Sequence, residues 1–294
     1  VLAAKVEGTP GTAEALTAAE AAHNVFDAKI QQMMDVEERP EQGGFEALPT
    51  VLGGHKGQIT FSMEMYGGAA APPWASVFLP ACGLGIVVGT YKLDKLPPEA
   101  AASTCETITI GMYEDGVFKV LAGCMGNAKF TFDAGKKARV EFTFTGIWAA
   151  PTDVAILAPT YPTSVPLRFV SSALTVGAWT PAVQQLTIDL GNVVYLREDS
   201  TKASGYSSAV IQNRLVKGTL NPETALIATK DLFGEWLAAT EAALSVKAIA
   251  GAADCTLTAT EMQFLNPQEA EREGLQTTEL EYQLNADDLT LTFT

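Results

Sequence analysis

Residues 128–146 read AKFTFDAGKKARVEFTFTG. Phe130, Phe132, Val140, Phe142 and Phe144 fall on one face of two period-two runs, and Lys129, Thr131, Arg139, Glu141, Thr143 and Thr145 fall on the other. Asp133 to Lys137 supply a turn between them, so the stretch predicts a β-hairpin with one apolar and one wet face. A lone hairpin is marginal in water. Its phenylalanines must therefore be covered by a second sheet or by a helix, and the hairpin must belong to a larger antiparallel sheet.

The sequence supplies that larger unit twice. Residues 36–67 align with 195–226 at a constant offset of 159, bringing Gln58 onto Lys217, Thr60 onto Thr219 and Phe61 onto Leu220. In both copies a polar, turn-rich loop is expected to run into a strand. The same offset carries PPWASVFLPACG onto DLFGEWLAATEA; apolar residues at i, i+3 or i+4 behind Pro73 and Asp231 predict a short amphipathic helix in each. Beyond the helices the offset falls to about 137, so the first copy carries an insertion of about 22 residues around 85–105. The expected organisation is an N-terminal arm 1–28, a first repeat 29–150, a proline-rich connector 151–182 and a second repeat 183–294. The fold class is α+β, mainly β: duplicated sandwich domains, each with one flanking helix.

Composition narrows the function. Hydrophobic residues make up 47% of the 294 and charged ones 18%, which is globular. Nineteen Lys and Arg against 34 Asp and Glu give a net charge of −15, which argues against equilibrium binding of DNA or anionic membranes, because phosphate affinity comes from cationic side chains. The opening VLAAKVEGTPGT is interrupted by Lys5 and Glu7, and no apolar run is long enough to span a bilayer; neither a leader nor a membrane segment is expected. Cys82, Cys105, Cys124 and Cys255 show no metal-ligand spacing and read as small buried residues.

The residue patterns that could carry chemistry are weak. His23 and His55 stand outside any nucleophile pattern, and GLGIVVG (83–89) follows a helix where a dinucleotide loop needs a preceding strand, so it reads as a turn. Glu37, Glu38, Glu41 and Glu46, and Glu261, Glu269, Glu271 and Glu273, form acidic stretches that would serve a hydrolase only if they converged; solvated loops are the plainer reading. Trp74, Trp148, Trp179 and Trp236 are expected to be core anchors. The feature that stands out is the polar strand face: Gln58, Thr60, Ser62 and Glu64; Lys129, Thr131 and Asp133; Arg139, Glu141, Thr143 and Thr145; Thr256, Thr258 and Thr260; Glu279 and Glu281. With Lys217 and Lys247 added, the face is weakly negative at most. An ordinary solvated sheet and a smooth wet channel wall would look alike.

Jointly, LAAKVEGTPGT, GHKGQITFSMEM, WASVFLPACGLG, GVFKVLAGCMGNAKFTFDAGKKARVEFTFTGIW, QQLTIDLGNVVYLRED and LFGEWLAATEAALSV resemble the major tail tube proteins of long-tailed, non-contractile (siphovirus-type) bacteriophages and prophages. The resemblance implies a virion structural protein without catalytic residues, metal or cofactor. Its sandwiches would join into a barrel around a lumen, with rings stacking into a conduit for DNA. A duplicated chain implies three subunits per ring, with pseudo-sixfold symmetry. Thr60, Ser62, Thr131, Glu141, Thr143, Thr145, Glu279 and Glu281 would face the lumen. The loops 35–56 and 194–215, with Glu38, Arg39, Arg197, Glu198 and Asp199, would reach neighbouring rings or subunits. Implied partners are further copies of itself and the tail terminator, tape measure and distal tail proteins, with no membrane; assembly would take place in the host bacterial cytoplasm. A monomeric carbohydrate-binding or adhesin module is the competing reading.

Overall fold

The computed structural model describes residues 1–40, 47–68, 71–94, 96–171, 173–286 and 288–294. The first half contains β1 (Leu2–Val6), β2 (Val25–Pro40), β3 (Ala47–Glu64), α1 (Pro73–Ala81), β4 (Leu84–Val87), β5 (Thr90–Leu93), β6 (Ile108–Glu114), β7 (Val117–Asp133) and β8 (Arg139–Asp153). The second contains β9 (Leu174–Val176), β10 (Val183–Asp189), β11 (Asn192–Glu198), β12 (Tyr206–Arg214), β13 (Lys217–Pro222), α2 (Leu232–Leu237), β14 (Glu241–Ala250), β15 (Ala253–Arg272), β16 (Leu275–Leu284) and β17 (Thr290–Phe293). Among the described residues the architecture is mainly β, antiparallel, with two helices.

The predicted hairpin forms as β7 and β8, with Phe130 opposite Val140 and Ala128 opposite Phe142. Its apolar face is buried, and α1 covers it: Phe78 lies 5.3 Å from Phe142 and 6.0 Å from Phe144 between ring centroids, with Phe61 of β3 edge-on to Phe78 at 5.2 Å. Burying each such ring contributes on the order of 2 kcal/mol. Pro73 sits in the first turn of α1, and Gly83, at φ +79°, takes the left-handed position just past its end. Trp74 is fully buried and its Nε1 donates to the Tyr66 carbonyl at 3.0 Å.

Two long strands change layers. Along one edge of β7 runs β8; on its other edge β6 pairs with the first part, and β10 pairs with Lys129–Asp133. Gly123, at φ +61°, lies where β7 leaves β6. There its N–H donates to the buried Glu7 carboxylate at 2.7 Å, which also accepts from Gly11 N and the hydroxyls of Thr107 and Thr109. All four hydrogen bonds are donated to the carboxylate, which gives both of its buried oxygens partners. Likewise β15 pairs with β14 through Ala253–Gln263 and with β16 through Met262–Arg272. One layer therefore runs β2-β3-β8-β7-β10-β13-β16-β15 across both halves, and the order β1-β6-β7-β8-β3-β2 of the first half recurs as β9-β14-β15-β16-β13-β10 in the second.

Three expectations change. The polar segments before Gln58 and Lys217 are not loops but paired strands, β2 with β3 and β11 with β12, because backbone groups pair with each other however polar the side chains are. Trp236 is not a core anchor: α2 has six residues, and only Leu232 is buried, leaving Phe233, Trp236 and Leu237 exposed. Asp231 does cap it, accepting from Gly234 N at 2.8 Å. Residues 84–93, read as a turn and insertion, form the β4–β5 hairpin closed by Val88 and Gly89 at positive φ, and β5 pairs with β17 of the second half.

His23 is buried edge-on against Phe78 at 5.1 Å, and burial holds its pKa down at about 4, from 6.5. The native ring stays neutral while the unfolded chain takes up a proton below about pH 6.5, so this group removes stability as pH falls from about 6.5 towards about 4, by roughly 3 kcal/mol at most. His23→Leu is expected to lose less stability than the wild type between about pH 7 and pH 4.5, read from denaturant midpoints. Equal losses would show that other groups carry the acid sensitivity.

Candidate functional site

Across the eight-strand layer, polar side chains line up in rows because alternate residues of every strand turn their apolar partners into the core. One row runs Ser62, Glu141, Lys129, Asp189, Lys217, Gln283 and Gln263, each opposite the next. The adjacent row runs Glu64, Arg139, Thr131, Thr187, Thr219, Glu281 and Asn266. Shorter rows hold Lys29, Thr60, Thr143 and Asn127, then Gln31, Gln58 and Thr145, and at the far side Glu279 with Gln268.

Charge along the first row alternates. Lys129 stands between Glu141 and Asp189, and Asp189 between Lys129 and Lys217. Cross-strand neighbours of opposite sign at about 5 Å between Cβ atoms stabilise each other and cancel at a distance. Hydroxyls and amides satisfy one another: Thr187 and Thr219 hydroxyls lie 2.8 Å apart, Asn127 donates to Asp189 at 2.7 Å, and Gln185 donates to Asp133 at 2.7 Å. Under the face, the Tyr282 hydroxyl donates to the Thr187 carbonyl at 2.7 Å, and Gly218 leaves the room it needs, since a Cβ there would lie 2.4 Å from that oxygen.

Thr60, Ser62, Thr131, Glu141, Thr143, Thr145, Glu279 and Glu281 all fall on this face. Thr256, Thr258 and Lys247 do not. They lie where β15 pairs with β14 and β17, before the strand crosses to the other layer, and Lys247 is ion-paired with Asp254 at 2.7 Å. Thr260 is likewise outside, bonded to Asp288. The residues missed are Lys29, Gln31, Asn127, Thr187, Asp189, Thr219, Gln263, Asn266, Gln268 and Gln283; the alternation in QQLTIDL carried the signal for two of them.

Of the expected arm residues, Glu38 and Arg39 lie exposed at the far end of β2. Arg197 and Glu198 are on β11, where Arg197 is ion-paired with Glu99, and Asp199 accepts from the Thr201 N–H and hydroxyl, which lowers its pKa. The β11–β12 hairpin folds back over the first half: Leu196 and Ala209 are buried with Met125 and Cys105. The two acidic stretches do not converge, since Glu37 and Glu38 lie on β2 and Glu261, Glu269 and Glu271 on β15, at opposite ends of the eight-strand order; Glu41 and Glu46 lie outside the described residues.

Among comparisons with known proteins, a family model described as phage tail tube protein matches residues 1–294. No curated protein matches the chain.

The alternating row predicts that the folded chain does not retain duplex DNA even at low salt. Replacing Glu141 and Glu281 by Gln and Asp189 by Asn should produce weak, salt-dependent binding, with log K falling against log salt by about 0.9 for each phosphate neutralised. Fluorescence anisotropy with a labelled duplex checks this, and identical behaviour of variant and wild type would discount the acidic neighbours.

Proposed function

Because the chain belongs to the phage tail tube protein family, we propose that three copies close into a ring in which the polar eight-strand face of each lines a common lumen, and that rings stack into the tail tube through which DNA passes. The observation that carries this reading is the unbroken polar face spanning both halves, with Glu141 and Asp189 beside Lys129 and Glu64 beside Arg139. A conduit must stay wet without holding phosphates, and a face of hydroxyls and amides on which Lys129, Arg139 and Lys217 each stand opposite an acidic residue favours that, because an acid beside each cation opposes the counterion-release affinity that would be multiplied over many rings. The repeated strand order supports two equivalent units per chain, with β1 and β9 lying before the proposed bounds 29–150 and 183–294, hence three chains where six single units would otherwise close the ring.

In this reading the chain is a structural subunit of the virion tail. It is assembled in the host bacterial cytoplasm, meets tail terminator, tape measure and distal tail proteins at the tube ends, and carries out no catalysis. Glu38 and Arg39 reach a neighbouring subunit or ring, where rim charges set registry more than affinity.

Negative-stain microscopy of the purified chain at high concentration should show stacked rings or tubes, and native mass measurement a unit of three. Persistent monomers would overturn the reading; rings of six would overturn the stoichiometry. In assembled particles, Thr143→Lys with Glu281→Lys should slow DNA ejection several-fold at low salt and less at high salt, leaving tube length unchanged.

A further inference from the structure

We propose that β2 and its arm, the paired segments 34–40 and 47–55 of β2 and β3, clasp β15 and β16 of a second copy of this chain, in the register with which β10 and the β11–β12 hairpin clasp β7 and β8 within one chain. This rests on the tube reading and names the surfaces that would build it.

The internal joint is the template. There β10 pairs with the late part of β7, Gln185 opposite Asp133 and Thr187 opposite Thr131, while β11–β12 lies across β7 and β8 with Val194 and Ile211 half-buried against Met125, Ile147 and Cys105. The first half has the same pair of strands, touched at its base by the tip of β11–β12, where the Tyr206 hydroxyl donates to Asp35 at 2.7 Å and His55 N donates to the Ser204 carbonyl at 3.1 Å, but among the described residues no sheet lies against its outer part. Met34 opposite His55, Val36 opposite Leu52, Glu37 opposite Val51 and Pro40 opposite Ala47 correspond to Asn192 opposite Arg214, Val194 opposite Ile211, Tyr195 opposite Val210 and Glu198 opposite Tyr206, with register irregularities at matching places. Yet Val36 is 54% and Leu52 63% exposed, where their counterparts Val194 and Ile211 are packed. Among the described residues β2 pairs only with β3, and β15 carries no strand beside Gln268–Arg272 on the edge where β7 carries β10. Unpaired edges are hazardous in a monomer, and one edge meeting the other in a head-to-tail ring removes both.

The register transfers directly. Ile188 opposite Gly218 matches Ile30 opposite Ile59, and Thr131 opposite Arg139 matches Ala270 opposite Thr277. Thr187 opposite Thr131 then becomes Lys29 opposite Ala270 of the second copy, and Gln185 opposite Asp133 becomes Asp27 opposite Arg272. The last pair joins opposite charges, and the buried Nη1 of Arg272 lacks a hydrogen-bond partner among the described residues, its Nη2 being held by Glu223 at 3.4 Å.

The test is a cysteine pair, Lys29→Cys with Ala270→Cys, in the full chain. The four native cysteines are buried, so background oxidation is low. Mild oxidation of assembled protein should give disulfide-linked dimers and trimers on a non-reducing gel. Either single variant should stay monomeric, and so should Gln31→Cys with Arg272→Cys, whose positions lie four residues apart in this register. Separately, Leu52→Asp should keep the monomer's circular dichroism and thermal midpoint while cutting the cross-linked yield of the cysteine pair at least ten-fold. Tubes that form from the cysteine pair without cross-linking would overturn the register and leave the tube reading standing; a wild-type chain that never assembles would overturn both. Undiminished cross-linking in Leu52→Asp would overturn the arm's part.

Discussion

The backbone seam between β10 and β7 is the constraint on which the rest depends. Along Gln185–Asp189 and Lys129–Asp133 the two halves share one hydrogen-bonded ladder, and beneath it Leu186, Ile188, Phe130 and Phe132 are fully buried. Such a ladder fixes parity: a one-residue slip would turn every side chain to the opposite face. Thr187 and Asp189 must therefore lie on the same side as Thr131 and Lys129, which is why two half-chains present one polar surface instead of two. The seam also forces β7 to leave β6 midway, and the fully bonded Glu7 carboxylate sits where the strand turns away.

On that surface electrostatics is arranged locally. The chain's charge of −15 alone suggests a repulsive protein, but the face itself is close to balanced, with acids and bases alternating from strand to strand. Alternation at neighbouring positions leaves little field beyond a Debye length of roughly 8 Å at physiological salt. A mobile polyanion would then meet neither a wall that binds it nor one that expels it strongly.

The halves are alike in topology and unequal in detail. The first is anchored by α1, whose Phe78 and Trp74 are fully buried, whereas α2 leaves its aromatic residues outside. The β4–β5 hairpin of the first half joins the second half's strands through β17. One clasp closes on β7 and β8 of its own chain, whereas among the described residues the other meets only the β11–β12 tip and Trp148 at its base. Equivalent units with unequal surroundings can occupy equivalent positions in an assembly only if a neighbour completes the second.

How much of this was legible from sequence follows from what each signal depends on. Period two in AKFTFDAGKKARVEFTFTG depends only on the alternation of a strand, so the hairpin, its buried face and its wet face could be read directly. The helix over Pro73–Ala81 followed from spacing and Pro73. What sequence could not decide was which strand lies beside which, because ladder bonds are made by backbone groups that every residue carries. Thr256 and Thr258 looked like Thr131 and Thr143 until pairing put them in the other layer, and the polar arms looked like loops until their backbones paired. Trp236 has the composition of a core residue but sits on a helix too short to bury it. Local pattern determined which face of each strand is wet; only the long-range pairing of β10 with β7 decided that those faces form one surface, since that contact joins residues more than fifty positions apart and leaves no local trace.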